Sequence, residues 1–159
     1  SYPLVLVDTS ELEIERRSAT GSWYNEGETR LARDIAVAAS KSLVKTSAVK
    51  PEFPKIITPY TAQSRLLKQN LPKEDVLTVY RAQGREYPFV IVSMVRNNES
   101  GDIGFLDMPY LRGQGYVALS RAKGKMVVLM SNDTFISHPI FEALLRMGEG
   151  KCLKLKLRR

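Results

Sequence analysis

Residues 81–86, "RAQGRE", gather more chemistry than a turn between two strands requires. Gly84 has no Cβ, so its backbone can approach an oxyanion closely. Gln83 can both donate and accept hydrogen bonds, and Glu86 can accept them from hydroxyls such as those of a ribose. Together these are the parts of a phosphate or nucleotide site. A second group lies in "VALSRAK", residues 117–123, where Arg121 sits among small residues with Lys123 nearby. An arginine held on rigid structure can stabilise charge on a transferring phosphoryl group. Taken singly, a Gln-Gly pair is far more often a turn, and a lone arginine far more often a solvated charge.

The chain of 159 residues is one ordinary domain with enough length to bury a core. Hydrophobic residues at 43% and charged residues at 26% describe a globular composition. The net charge of +7 favours an anionic partner, of which nucleic acid is the commonest, although a surface can also simply be basic. Arg96, Arg112, Lys123 and Lys125 can touch phosphates or merely face water. Arg112, in a long loop, is the first choice among them for nucleic acid. One cysteine, Cys152, rules out an internal disulfide, and one histidine, His138, leaves no Cys/His zinc site, so no metal ligand is assigned. No apolar run reaches membrane-spanning length and no signal-peptide pattern opens the chain. The expected setting is therefore the reducing cytoplasm or nucleus, with no membrane partner.

The elements that must position these residues follow from hydrophobic periodicity. Residues 3–7, "PLVLV", read as a buried strand, and residues 8–21 as an exposed loop. Asn25 with Glu28 three positions on has the spacing of a capping box at a helix start. Leu31, Ile35, Ala38 and Ser42, with Ala32 and Ala39, make a stripe at helical spacing. Trp23 and Tyr24 can stack on bases, but just before a cap they read better as a hydrophobic staple. Residues 46–54 read as a linker, 55–58 as a strand stopped by Pro59, and 61–71 as a helix through Leu66, Leu67 and Leu71. Strands are expected at 76–79, 89–95 and 126–131, and a helix at 139–147. Residues 97–115 form a long loop of a length that is often functional, and residues 116–123 fit helix or strand. The domain proper is placed at 1–150, with residues 151–159 a basic tail or a half-exposed terminal strand.

Unbroken apolar strands alternating with helices predict an α/β sandwich whose mostly parallel sheet is covered on both faces. Such sheets present ligands at the carboxyl ends of their strands. Residues 59–63 and 80–86 are accordingly expected at that edge.

The ordered segments "SWYNEGE", "IITPYTAQ", "LTVYRAQGREYPFVIVSMVR", "IGFLD" and "YVALSRAK" resemble the second RecA-like domain of superfamily 1 helicases. The likeness is to the group of the nonsense-mediated-decay helicase and the replication helicase-nucleases, and it runs from Leu4 to about Met147. "TPYTAQ" resembles motif IV, "TVYRAQGRE" motif V and "VALSRAK" motif VI. The resemblance implies a RecA-like three-layer sandwich and an ATP-dependent enzyme acting on single-stranded or duplex DNA or RNA. It implies that Arg121 is an arginine finger on the γ-phosphate and that Gly84 places its backbone near that phosphate. By the same likeness Glu86 binds the ribose side, Gln83 links the nucleotide and nucleic-acid sites, and Thr58, Tyr60 and Thr78 line the nucleic-acid groove. Tyr80 and Tyr116 replace the usual Asp and Asn of the family pattern, which leaves DNA versus RNA open.

No G-x-x-x-x-G-K-[ST] occurs in the 159 residues. The cradle for a triphosphate and the acidic partner for Mg²⁺ are thus expected on a first RecA-like domain of the same protein. The chain reads as half of a motor, with ATP between the halves, and as inactive alone. The alternative is a non-catalytic nucleic-acid- or protein-binding module that keeps the helicase fold.

Overall fold

Strands that are apolar at successive positions must bury both faces, and the computed structural model, which describes residues 3–46, 52–107, 118–148 and 150–157, has that arrangement. Its strands are β1 (Leu4–Asp8), β2 (Arg16–Arg17), β3 (Trp23–Tyr24), β4 (Lys55–Thr58), β5 (Val76–Thr78), β6 (Tyr87–Ser93), β7 (Ala122–Met130) and β8 (Leu153–Lys156). Six of them form one sheet in the order β5-β4-β6-β7-β1-β8, and every neighbouring pair is parallel. β2 and β3 form a separate antiparallel hairpin. The helices are α1 (Glu26–Thr46), α2 (Thr61–Leu67), α3 (Val79–Ala82), α4 (Asn132–Phe135) and α5 (Pro139–Leu145). This is the three-layer α/β architecture of a RecA-like domain. No described helix is long and apolar enough to cross a membrane.

The two faces of the sheet bury different residues of the same strands. Val5, Val7, Ile56 and Ile91 pack with Ala32, Ala36 and Leu67 under α1 and α2. Leu6, Ile57, Val90 and Val92 pack on the other face with Val79, Ala82, Phe135 and Phe141 of α3, α4 and α5. Alternation along each strand therefore sends apolar side chains both ways, which is why the sequence shows runs and not a period of two.

Several expectations shift. The buried stripe of α1 runs through Ala32 and Ala36, while Ala38 is exposed. α2 ends at Leu67, although Leu71 beyond it is still buried. Residues 8–21 are not wholly loop: β2 folds back on β3 through a turn in which the Gly21 N–H donates to the Ser18 carbonyl at 2.9 Å. Gly21 there has φ +83°, a left-handed angle that suits glycine. The segment 116–123 resolves from Ala118 onward into a helical turn that enters β7 at Ala122. β8 extends the sheet beside β1, with Lys154, Leu155 and Lys156 exposed on its edge. Arg112 and Tyr116 lie outside the described residues.

The β6–β7 pairing contains an irregularity that bears on function. Tyr87 pairs with Ala122 and Phe89 with Lys125, so Lys123 and Gly124 together oppose Pro88. Proline has no N–H to give to a ladder and is confined to edges and bulges. In central β6 it sits at the bulge. A Cβ on Gly124 would come within 2.7 Å of the Pro88 carbonyl oxygen, so only glycine fits opposite it.

Candidate functional site

The loop expected to bind phosphate lies elsewhere than the parallel-sheet rule suggests. It begins at the carboxyl end of β5, at Thr78, but β6 runs parallel to its neighbours, so the chain must return across the sheet. α3 makes that return with Val79 and Ala82 buried, and the segment arrives at the amino end of β6. Gln83, Gly84, Arg85 and Glu86 are therefore exposed at the amino edge, which corrects the placement of residues 80–86 at the carboxyl edge. Arg121 reaches the same edge by entering β7. The Tyr87 N–H donates to the Arg121 carbonyl at 2.8 Å. The Arg121 guanidinium donates from Nη1 to the Arg85 carbonyl at 3.1 Å and from Nη2 to the Ser120 hydroxyl at 2.9 Å.

This edge suits a polyphosphate. Gly84 has φ +74° and no atom within 4 Å of the place a Cβ would take, so its backbone faces open space. The partly exposed Arg121 guanidinium lies on the carbonyl of the next residue, Arg85, immediately before β7. Planar guanidinium donors and a bare backbone are what phosphoryl oxygens require. Among the described residues no group of three or more His, Cys, Asp or Glu could hold a metal ion.

Thr58, Tyr60 and Thr78 gather at the opposite, carboxyl edge, where Thr58 and Thr78 are direct register partners. Thr78 is half-buried, but Thr58 is 0% exposed and Tyr60 3%. The Thr58 hydroxyl accepts the Tyr60 N–H at 3.4 Å, and the Tyr60 ring packs on Phe105 at 5.1 Å. The Tyr60 hydroxyl lies beside the Arg96 guanidinium without a hydrogen bond of normal geometry. Burial pushes it up to about 12, against the pull of Arg96. Side-chain contact by Thr58 or Tyr60 with a nucleic acid is therefore not available in this conformation. They support the entry to α2 from beneath.

A polar hub under this edge was invisible in the sequence. Asn25 does cap α1, its side-chain oxygen accepting the Glu28 N–H at 3.0 Å. Glu28 does not complete the box. The Asn25 N–H goes instead to Gln63 Oε1 at 2.9 Å. The fully buried Glu28 carboxylate accepts from Ser93 Oγ at 2.6 Å, the Val95 N–H at 2.8 Å and Thr9 Oγ1 at 2.9 Å. Burial pushes its pKa up to about 7, with those three donors pulling the other way. Val95 has φ +73°, a left-handed angle that costs a β-branched residue about 1–2 kcal/mol. Its N–H on Glu28, and its carbonyl on the Asn25 side chain at 3.2 Å, hold it there.

Arg96, expected at a phosphate or in solvent, is 2% exposed. It donates to Glu15 at 3.1 Å and Asp102 at 3.1 Å and lies 4.4 Å from the centre of the Trp23 ring. Trp23 is thus no simple staple. A second guanidinium, Arg17, lies 5.4 Å from the same ring. The signal that could have found this unit is "RRSATGSWY", two short runs around a five-residue loop containing glycine, a hairpin pattern.

Comparison with known proteins agrees with this architecture. The AAA_12 family model, described as an AAA domain, matches residues 1–133. The chain is 32% identical over 154 residues to the DNA-binding protein SMUBP-2 of Rattus norvegicus, covering 91% of this chain and 14% of that protein. It is 34% identical over 151 residues to a Regulator of nonsense transcripts 1 homolog of Arabidopsis thaliana, covering 90% and 12%. It is 31% identical over 142 residues to the DNA replication ATP-dependent helicase/nuclease DNA2 of Mus musculus, covering 86% and 13%. The chain therefore spans between 12% and 14% of the length of these relatives.

Proposed function

This chain belongs to the AAA_12 family of superfamily 1 helicases, and we propose that it is the second, C-terminal RecA-like domain of an ATP-dependent helicase motor acting on DNA or RNA. Its partners are a first RecA-like domain of the same protein and a nucleic-acid strand. The observation that carries the reading is the meeting of motifs V and VI at the amino edge, where the Arg121 guanidinium lies on the Arg85 carbonyl. Two segments 36 residues apart in sequence converge there on open space suited to an anion.

Bound ATP with Mg²⁺ would supply phosphoryl transfer to water. Arg121 would set its planar fork on the γ-phosphate and oppose the charge that develops there. The Gly84 backbone would close on the same oxygens, and Glu86 would accept from a ribose hydroxyl. Gln83 stands in the crossover between this edge and Thr78, so a shift at one end is carried along α3 to the other. The Mg²⁺ ligands and the phosphate cradle belong to the first domain. At the carboxyl edge, Thr78 and the start of α2, supported by Thr58 and Tyr60, would face nucleic acid; Arg112, outside the described residues, remains a proposed phosphate contact.

The test is steady-state ATP hydrolysis by the two-domain parent at saturating nucleic acid, alongside a nucleotide-binding titration. Arginine fingers are worth about 10³–10⁵ in turnover, so Arg121→Ala should lower turnover far more than nucleotide affinity. Arg121→Lys should restore little, because a point charge does not reproduce the fork. Turnover of Arg121→Ala within about threefold of the parent would remove Arg121 from the site.

A further inference from the structure

Arg17 is an exposed arginine held in place before any ligand arrives. Its guanidinium stacks on Trp23 at 5.4 Å, and its Nε donates to the Gly21 carbonyl at 3.1 Å. The Trp23 ring is itself fixed by buried Arg96 at 4.4 Å. Arg96 is neutralised by Glu15 and Asp102. Arg17 has no such partner: no carboxylate of the described residues lies within 4.0 Å of it. An uncompensated guanidinium with its rotamers already restricted, and its outer N–H donors left over, loses little entropy on taking an oxyanion.

The position of the hairpin indicates which oxyanion. Ser22, next to Trp23, accepts the Ala62 N–H at 3.1 Å and the Thr61 hydroxyl at 3.3 Å, docking the hairpin on the start of α2, just beyond the carboxyl end of β4. Arg17 thus belongs to the carboxyl edge, with Thr58 and Thr78. Arg121 and Gly84 are at the other end of β6, seven residues away along the strand, or roughly 20 Å at about 3.3 Å per residue. A single nucleotide bound at Arg121 does not reach that far.

We infer that Arg17, presented on Trp23, is a preformed clamp for a backbone phosphate of single-stranded nucleic acid. The inference rests on the proposal that the carboxyl edge faces nucleic acid, and it adds a contact to that face. The phosphate takes the outer Nη donors while Nε stays on Gly21, so binding needs no rearrangement of the hairpin.

Trp23 is the one tryptophan of the chain, so its fluorescence reads the site directly. The experiment titrates the full chain with a single-stranded oligothymidylate at a series of salt concentrations. Binding should change the Trp23 emission. Arg17→Ala should weaken binding about tenfold and lower the slope of log affinity against log salt by about 0.7, one phosphate contact on a single strand. Arg17→Lys should keep the slope but recover only part of the affinity, since the stacked fork is lost. Inorganic triphosphate at matched ionic strength should not reverse the emission change; full reversal at comparable concentration would make this a nucleotide-phosphate site and overturn the inference. Unchanged affinity and slope in Arg17→Ala, while the oligonucleotide still binds with salt dependence, would sink the clamp and leave the helicase reading standing. No binding of the parent chain at low salt would remove both the clamp and the nucleic-acid face.

Discussion

Glu28 is a carboxylate with three hydrogen-bond donors and, among the described residues, no cation within 4.0 Å. Burial outweighs the donors and lifts its pKa from 4.5 to about 7. Between those values the folded protein holds a proton that the unfolded chain has released. Stability from this group is therefore full below about 4.5, falls as pH rises toward 7, and is flat above. Glu28→Gln keeps an acceptor for Ser93 and Val95 and turns its amide toward Thr9. It should abolish an effect on the order of 3 kcal/mol across that window. Urea denaturation of parent and variant at several pH values checks this. Parallel pH profiles for the two proteins would show that Glu28 titrates normally.

The bulge between β6 and β7 is where element geometry meets the site. It absorbs Pro88 in a central strand and sets the angle at which Ala122, and so Arg121 just before it, leaves the sheet. Gly124→Ala pushes a methyl fixed to one strand against the backbone carbonyl of Pro88 on the other, and neither can yield without moving a strand. The expected cost is about 1–3 kcal/mol in urea denaturation. Because the bulge carries Arg121, ATP turnover of the two-domain parent should fall as well. Full stability in Gly124→Ala would mean that the β6–β7 register is not pinned there. The short α3 works in the same way at a larger scale. It replaces a full crossover helix, so one eight-residue segment touches both edges of the sheet.

At the scale of the whole molecule, the residues proposed for nucleotide and those proposed for nucleic acid sit at opposite ends of the same sheet. Rotation of this domain against a first domain would then move both contacts as one rigid body, which suits a motor. With the phosphate cradle proposed on a first domain, the chain given ATP, Mg²⁺ and oligonucleotide should release phosphate only at background. Sustained turnover abolished by Arg121→Ala would show that the chain completes a site by itself.

The sequence alone made the layers, most strands of the main sheet and the family legible, but not the β2–β3 hairpin. Apolar runs such as 3–7 and 89–95 are local signals, and the spacing within "TVYRAQGRE" and "VALSRAK" survives without knowledge of contacts. It also identified the two groups that converge, 83–86 and Arg121, because unusual residue types mark a site in one dimension. Which edge they occupy was decided only by the parallel pairing of β4, β5 and β6, since a crossover can end at either edge until the neighbours are known. Burial was likewise beyond the sequence. Glu28, Arg96, Thr58 and Tyr60 have polar atoms that look exposed in isolation, and partners brought from up to 81 positions away satisfy most of them inside. Asn25 shows the two together: its capping of α1 is a short-range rule and was legible, whereas its N–H found Gln63, 38 residues on, which only the fold brings near.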